Sequence, residues 1–507
     1  MVHPGLSAGW VIFVVSAILL TGLYFTWSPF SDVKNSGAKN FKLVILSQQL
    51  KSLVTTPWLL LVLRIVTSAV FLLVIYAGLF GTAIPEKNIA TVLTWTIWWS
   101  GVVISIFFVG SAWCAICPWD ALAGWLVKRK LWQRGDAVSS LNLRVPKIFR
   151  SVWPALIMFI GLTWLELGVG VTVSPYATAL MALLMVVLAT ISLAVYERKA
   201  FCHYFCAVGR TIGAYSVISP VALRPVNENT CADCTTLECY HGTDQVEPCP
   251  THLVMGRIKQ NTYCTSCGAC GMSCPHQNVS WQIRNIATDV INASPSTSRR
   301  AKADEAWFVL GLVALTTFHG ITMMPYWESW MQQLAYKIGD SGQLLISFSV
   351  GMFVSMLIPV SLYYICVYLV KLFSKTKESF ERIFSLLAVS LIPLAFAYHI
   401  AHNLTHLVRE SQGFWNVVMN PLGTDALPFG MHELHMRHMN PVIADDIVFS
   451  LQALLIVFGF YIAVSIVRKK MALLTSERFP LLIAVIFIGC FSLLNLWLLM
   501  QPMIMRM

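Results

Sequence analysis

The chain has 507 residues, 57% of them hydrophobic and 12% charged, with a mean hydropathy of +0.68. A soluble protein of this length would need far more polar surface, so a water-soluble globular enzyme is excluded. The net charge of +11 would suit a nucleic-acid binder, but the basic residues follow a membrane pattern, and nucleic acid is not expected as a partner.

Apolar runs of about 20 residues recur along the chain, each long enough to cross the hydrocarbon core as a helix. They fall near 9–27, 57–80, 91–113, 152–172, 175–196, 305–325, 344–370, 383–407, 447–467 and 479–502. The runs are continuous rather than alternating, which argues against a strand barrel. MVHPGLSAGW, before the first run, has no positive segment, so that run reads as a spanning helix rather than a cleaved leader. With the first residue outside, the outer segments carry only Lys87, Lys337, Arg409, Arg437 and Arg506, and Arg64 lies inside the second run. Every other Lys and Arg falls on the inner side. Both termini are therefore expected outside and the long central loop in the cytoplasm.

The chain divides into three parts. Residues 1–221 hold five helices and two cysteine pairs. Residues 222–303 form a soluble insert rich in Cys and turn formers. Residues 304–507 hold five more helices and most of the histidines. SPSTSRRAKADE (294–305) reads as a linker back to the membrane. WCAICPWDALAGW (113–125) and FCHYFCAVGRTIGAY (201–215) form a weak internal repeat: an aromatic, a Cys pair, then a small glycine-containing segment.

The insert carries the most specific signal. Cys264, Cys267, Cys270 and Cys274, followed by Pro275, give C-x2-C-x2-C-x3-C-P, the bacterial ferredoxin pattern in which the fourth Cys ligates the other cluster. Upstream, Cys231, Cys234 and Cys239 give C-x2-C-x4-C, and Cys249-Pro250 completes the set. The expected assignment is crosswise. One [4Fe-4S] cluster takes Cys231, Cys234, Cys239 and Cys274; the other takes Cys264, Cys267, Cys270 and Cys249. Zinc is the alternative, and this spacing is poor for a zinc ribbon. Cys366 and Cys490 sit alone in apolar runs and read as small core residues. The pairs Cys114/Cys117 and Cys202/Cys206 both emerge on the cytoplasmic face. Four thiolates at that rim are enough for a third iron–sulfur cluster; a redox dithiol pair and plain structure are the alternatives.

W-C-x2-C-P, then F-C-x3-C, then S-x-x-x-L-R-P leading into two ferredoxin motifs resembles the membrane polyferredoxins over roughly residues 91–285. That group includes the quinol-dehydrogenase subunit of periplasmic nitrate reductase (NapH), the nitrous oxide reductase maturation and electron-transfer protein (NosR) and the cytochrome oxidase accessory protein (CcoG). The first pair here has two intervening residues rather than three, and Cys206 is followed by Ala207 rather than proline. The resemblance implies a bacterial inner-membrane protein that moves electrons between quinol or periplasmic partners and iron–sulfur centres, in respiration or for a periplasmic reductase.

Seven histidines fall near the outer face of the C-terminal half. His319 lies near the end of the sixth run. His399, His402 and His406, at i, i+3 and i+7, share one helix face. His432, His435 and His438 are interleaved with Met431, Met436 and Met439. A buried intramembrane imidazole usually has a partner. His319 with His399 or His402 could ligate a b-type haem. His406, His432, His435, His438 and Met436 could hold copper, for which thioether and imidazole are suited; di-iron histidine boxes rank third. Arg64 reads as snorkelling to the cytoplasmic surface or pairing with a cofactor. Glu166 reads as a quinol proton acceptor or a solvated residue, and Trp95, Trp98 and Trp99 as interfacial anchors.

The sequence thus reads as an all-α polytopic membrane protein of about ten spans with an inserted cytoplasmic 2[4Fe-4S] ferredoxin domain. Electrons would pass between quinol, or an outer haem or metal site, and the clusters. Expected partners are the bilayer, redox subunits or a periplasmic cytochrome or copper protein, and the quinone pool. The alternative function is a redox-active assembly or copper-handling factor for a periplasmic or membrane copper enzyme.

Overall fold

A computed structural model describes residues 2–3, 5–28, 56–128, 140–291, 303–430, 433 and 442–504. The main helices are α1 (Ala8–Trp27), α2 (Pro57–Phe80), α3 (Ile89–Val109), α4 (Pro118–Lys128), α5 (Trp153–Val169), α6 (Pro175–Val195), α7 (Ala207–Ser216), α8 (Ala303–Thr322), α9 (Trp327–Ile338), α10 (Leu345–Ser374), α11 (Phe380–Glu410), α12 (Asp445–Leu474) and α13 (Arg478–Met500). Among the described residues, nine are long and apolar enough to cross a membrane: α1, α2, α3, α6, α8, α10, α11, α12 and α13. The chain is a multi-pass membrane protein. The fourth expected span appears as α5, a shorter apolar helix of 10–17 residues.

Two spans form the centre of the bundle. In α8, 78% of the apolar window is buried, and in α11, 83%, against 17% in α1 and α2. His319, His399, His402 and His406 therefore sit on inner helices. Pro393, one residue into the second part of α11, interrupts the backbone hydrogen-bond ladder, and the turn before it (Val389–Leu391) is 3-10. Small residues let helices approach closely: a Cβ on Gly78 of α2 would lie 2.7 Å from Ala179 Cβ of α6.

Among the described residues, three segments wind as π-helix: Val92–Trp98 inside α3, Leu165–Val169 at the end of α5, and Phe201–Phe205 ahead of α7. Helix α7 is buried along its whole length and packs against α3, α5 and α11.

Among the described residues there are two small sheets. β1 (Val2–His3) pairs antiparallel with β4 (Met503–Ile504), so the two ends of the described chain meet. β2 (Val221–Pro225) pairs antiparallel with β3 (Val279–Ile283), in register Val221↔Ile283 to Pro225↔Val279. The cysteine-bearing loops of the insert lie between these two strands. A buried ion triad locks the insert: Asp289, with 2% of its side chain exposed, takes hydrogen bonds from Arg224 Nη2 (3.1 and 3.2 Å) and Arg284 Nη2 (2.9 Å). The insert docks on the bundle through Tyr263, whose hydroxyl donates to Glu305 Oε1 at 2.7 Å. Of the two isolated cysteines, Cys366 is buried, while Cys490 lies exposed on α13, which corrects its reading as a core residue. An apolar thiol on an apolar span has no need of the core when the helix faces lipid.

Candidate functional site

The insert gathers its eight cysteines around two cavities. One is lined by Cys231, Cys234, Cys239 and Cys274, the other by Cys249, Cys264, Cys267 and Cys270, and Met255 lines both. Local backbone geometry makes room for this. Gly268 takes φ +77° right after Cys267, a left-handed turn that glycine adopts without penalty. A Cβ on Gly256 would lie 2.6 Å from Cys231 Cβ. Amide donors point at the sulfurs: Leu253 N–H at Cys249 (3.3 Å), Ser266 N–H at Cys264 (3.4 Å), Asn278 N–H at Cys274 (3.4 Å) and Asn278 Nδ2 at Cys231 (3.4 Å).

As bare thiols, Cys231, Cys239, Cys264 and Cys270 resist ionisation, chiefly because they are withdrawn from water. Burial pushes Cys264 up to about 11, and its neighbours Cys267 and Cys249 add to the effect against the Ser266 N–H. Burial also pushes up Cys270, with Cys267, Cys264 and Cys249 reinforcing it. Four crowded thiols with N–H donors to sulfur are a donor set suited to a cubane, which gives each thiolate its own iron. Among the described residues, no group of three or more His, Cys, Asp or Glu converges as a single-ion site requires.

The two outlying cysteine pairs lie within electrostatic range of one another. Burial raises Cys114, and Cys117 and Cys206 raise it further. Burial pushes Cys117 up to about 12, again with Cys206 adding to it. Cys202 feels Asp120, Cys206 and Cys117, and its sulfur is 4.0 Å from Asp120 Oδ1. Both pairs precede helix N-termini. Pro118 opens α4 after Cys117, and Cys206 caps α7, its sulfur accepting from Gly209 N–H at 3.2 Å. The helix dipoles thus present positive ends to the sulfurs.

Cations surround this rim. Arg210, 3% exposed, lies near Cys114 and Cys206 and stacks over Tyr263 at 4.6 Å. Lys199 pairs with Asp120. Burial alone would raise the Asp120 carboxyl, but Lys199 and Arg64 hold it below the usual carboxylate range. Arg64 does not snorkel. Its Nε donates to the Ala115 carbonyl at 2.8 Å, between the two cysteines of the first pair. Thr67 Oγ1 donates to Ile116 O at 2.7 Å beside it. An inward-facing acceptor at the loop satisfies the guanidinium better than a stretch to the surface.

From this rim an apolar cavity of about 420 Å³ extends into the bundle. Cys117, Trp113 and Trp119 line one part, and Glu166, His319, His399 and His402 another. The structure thus brings His319, His399 and His402 to one space. His319 Nε2 is 3.3 Å from Glu166 Oε1, and His399 Nδ1 is hydrogen-bonded to Tyr215 OH at 3.0 Å. Glu166 is 15% exposed and belongs to the site, so its solvated reading is set aside. Trp95, Trp98 and Trp99 also line the cavity, which corrects their reading as interfacial anchors. Trp98 stands 5.7 Å from Trp113, 5.9 Å from Trp119 and 6.0 Å from Trp99, and Trp99 is 5.5 Å from His399. Indole rings therefore join the cysteine rim to the histidines.

A haem does not suit this donor set. His319 Nε2 faces a carboxylate, and no Lys or Arg lines the cavity among the described residues to pair propionates. His406 lies beyond the cavity, with Nδ1 2.8 Å from Glu410 Oε1. His432, His435, His438 and Met436, expected with it as copper ligands, lie outside the described residues.

No family model matches the chain. Over 147 residues it is 26% identical to an Escherichia coli (strain K12) protein named "Putative electron transport protein YccM". The match covers 28% of this chain and 36% of that protein, so the chain spans about a third of the relative's length. No solved structure matches.

The sequence named the cysteines, the three cavity histidines and Arg64, but not the supports Asp120, Lys199, Arg210 and Tyr215. A basic or acidic residue within a turn of each Cys pair was the available signal for Asp120, Lys199 and Arg210. Tyr215 had none, and neither did the partner of Arg64, since the contacts span 184 and 51 residues.

Proposed function

We propose that this chain is a membrane electron-transfer protein that oxidises a quinol in the apolar cavity and hands its electrons to iron–sulfur centres on the cysteine side. The observation that carries this reading is the continuity of one cavity from Cys117 to the Glu166–His319 pair. A ligand within it would touch electron-accepting and proton-accepting ends at once. The relative named for electron transport supports the same reading.

Cys231, Cys234, Cys239 and Cys274 would hold one [4Fe-4S] cluster, and Cys249, Cys264, Cys267 and Cys270 the second. Cys114, Cys117, Cys202 and Cys206 would hold a third at the rim. A bound cluster supplies one-electron redox chemistry. The chain's own residues do the rest. The N–H donors and the rim cations Arg64, Lys199 and Arg210 favour the thiolate form and moderate the negative charge of each centre. The apolar lining takes an isoprenoid quinol and excludes bulk water. Glu166, set against His319, accepts a hydroxyl proton, and His399, oriented by Tyr215, faces the same space. The distribution of Lys and Arg supports a cytoplasmic cysteine side, and the resemblance to the membrane polyferredoxins implies a bacterial inner membrane.

Iron and acid-labile sulfide analysis with electron paramagnetic resonance of the purified, anaerobically handled protein tests this. About eight iron atoms per chain correspond to two cubanes and about twelve to three. Serine variants of Cys114 or Cys206 should remove the third set only. Stoichiometric zinc in place of iron, or no change in the iron–sulfur spectrum when a short-chain quinol is added, would refute it.

A further inference from the structure

The histidine face of α11 continues past the cavity. His402 is 3% exposed, and neither of its ring nitrogens has a protein partner. The Nε2 of His406, a residue 8% exposed, has none either. Leaving such groups unpaired inside a membrane domain is costly. A histidine kept for packing would settle a nitrogen, as His399 does on Tyr215.

The rings stand in a row. Centroids of His319 and His402 are 6.4 Å apart, and those of His402 and His406 are 5.0 Å apart. His406 Nδ1 meets Glu410 Oε1 at 2.8 Å, and Thr96 Oγ1 donates to Glu410 Oε2 at 3.0 Å. His402, His406 and Glu410 are spaced i, i+4, i+8, which places them on one helix face. Glu410 then lines a polar vestibule of about 290 Å³ together with Glu86, Lys87, Gln412 and Asn416. That vestibule lies where α2, α3 and α11 meet their loops, at the ends of α2 and α3 opposite the cysteine rim. The row begins in the cavity and ends in water-accessible polar space.

We propose that His402, His406 and Glu410 form a proton relay that carries quinol protons from the Glu166–His319 pair to the vestibule, on the side of the membrane remote from the cysteines. The relay rests on the reading of the cavity as a quinol site. The unpaired nitrogens of His402 and His406 do not bond each other, so a water molecule bridges each gap; an imidazole accepts a proton on one nitrogen and releases the proton of the other, and each hop leaves it neutral with its tautomer exchanged. Glu410 receives the proton from His406 Nδ1 and passes it to water, and Thr96 holds the carboxylate toward His406. For each quinol oxidised to quinone, two O–H bonds break, two protons leave by this row, and two electrons leave toward the cysteines for a one-electron acceptor. His406 and Glu410 do not line the cavity, so their substitution leaves quinol binding in place.

The test uses the full-length protein in liposomes, with duroquinol as donor, ferricyanide outside as impermeant acceptor, and pyranine trapped inside. Ferricyanide selects molecules whose cysteine side faces out, so relay protons acidify the lumen, while uncatalysed quinol oxidation acidifies only the outside. Wild type should acidify the lumen in a protonophore-sensitive way. His406→Ala and Glu410→Gln should slow that release by about a hundredfold, with iron content and the quinone-induced change in tryptophan fluorescence unchanged. Glu410→Asp should retain part of the rate, and imidazole should restore His406→Ala. Lumenal acidification at the wild-type rate in Glu410→Gln, with iron content intact, overturns the relay alone. Duroquinol-dependent ferricyanide reduction by wild type no faster than in protein-free liposomes overturns the quinol reading and the relay with it.

Discussion

Replacing Asp289 with Asn should loosen the cysteine insert while leaving the membrane bundle intact. The carboxylate accepts on both oxygens: Arg224 Nη2 and Arg284 reach Oδ1, while Arg224 Nη2, Arg284 Nη2 and the Asn261 N–H (2.9 Å) reach Oδ2. Every group facing it is a donor. An Asn amide keeps one acceptor and turns an NH₂ toward donors whichever way it is placed. It also leaves two guanidinium groups, 11% and 8% exposed, without a counter-charge. Breaking a buried ion network by removing one partner costs about 3–5 kcal/mol, which raises the population of the opened insert by roughly 10²–10⁴-fold. The effect is directed at one cavity, because Asn261 O accepts from Cys264 N–H at 2.8 Å. The assay is iron release to a chelator, with cleavage by a soluble protease, in membranes at a temperature where wild type is stable. Both should accelerate together, and the Cys249–Cys264–Cys267–Cys270 set should lose its iron first. Release within twofold of wild type would show that the triad does not hold the insert.

Three other outcomes follow from the site. Glu166→Gln removes the proton acceptor beside His319 and should slow duroquinol-dependent reduction by about 10²-fold, with quinone binding retained, as read by stopped-flow absorbance. Gly213→Ala would place a Cβ 2.2 Å from Thr262 O; relieving it moves the insert off α7 at a cost of about 1–3 kcal/mol, seen as faster proteolysis of the insert. Arg64→Met strands the Ala115 carbonyl, whose residue is 4% exposed; it should destabilise the rim by about 1–3 kcal/mol and lower the third iron set selectively in metal analysis.

Patterns that are local in sequence were legible, and those that depend on distant packing were not. The ten apolar runs all return as helices because continuous hydrophobicity at that length is itself the physical requirement for a span. Each short cysteine loop brings three sulfurs to one cavity, and the fourth, Cys274 or Cys249, comes from the other stretch of the insert. The three indoles were misplaced for a definite reason. Their positions near a span end suggested the interface, but Trp95 and Trp98 lie on a π-wound turn and Trp99 directly follows it, and no periodicity of 3.6 residues announces such a turn. Arg64 was read as a charge seeking water because its acceptor, Ala115 O, is presented by a loop that forms only when α2 meets the first cysteine pair. The histidine stripe of α11 was visible as i, i+3, i+7, yet its continuation into Glu410 gained meaning only from Thr96 and the vestibule.

Each π segment holds one residue more than the α-helical ladder would count, and each carries a group of the site: Trp95 and Trp98 in the first, Glu166 in the second, Cys202 in the third. Such a turn lets one span answer to two masters. In α3 the helix before the turn keeps the face that packs against its neighbours, and after it the face is re-aimed by about 100° without a break in the rod. Deleting a single residue such as Thr94 would therefore restore an ordinary helix and swing the remainder of α3 away from its present partners. Shape in these segments is set by residue count as much as by residue type, so a length change of one there should be less tolerated than most substitutions.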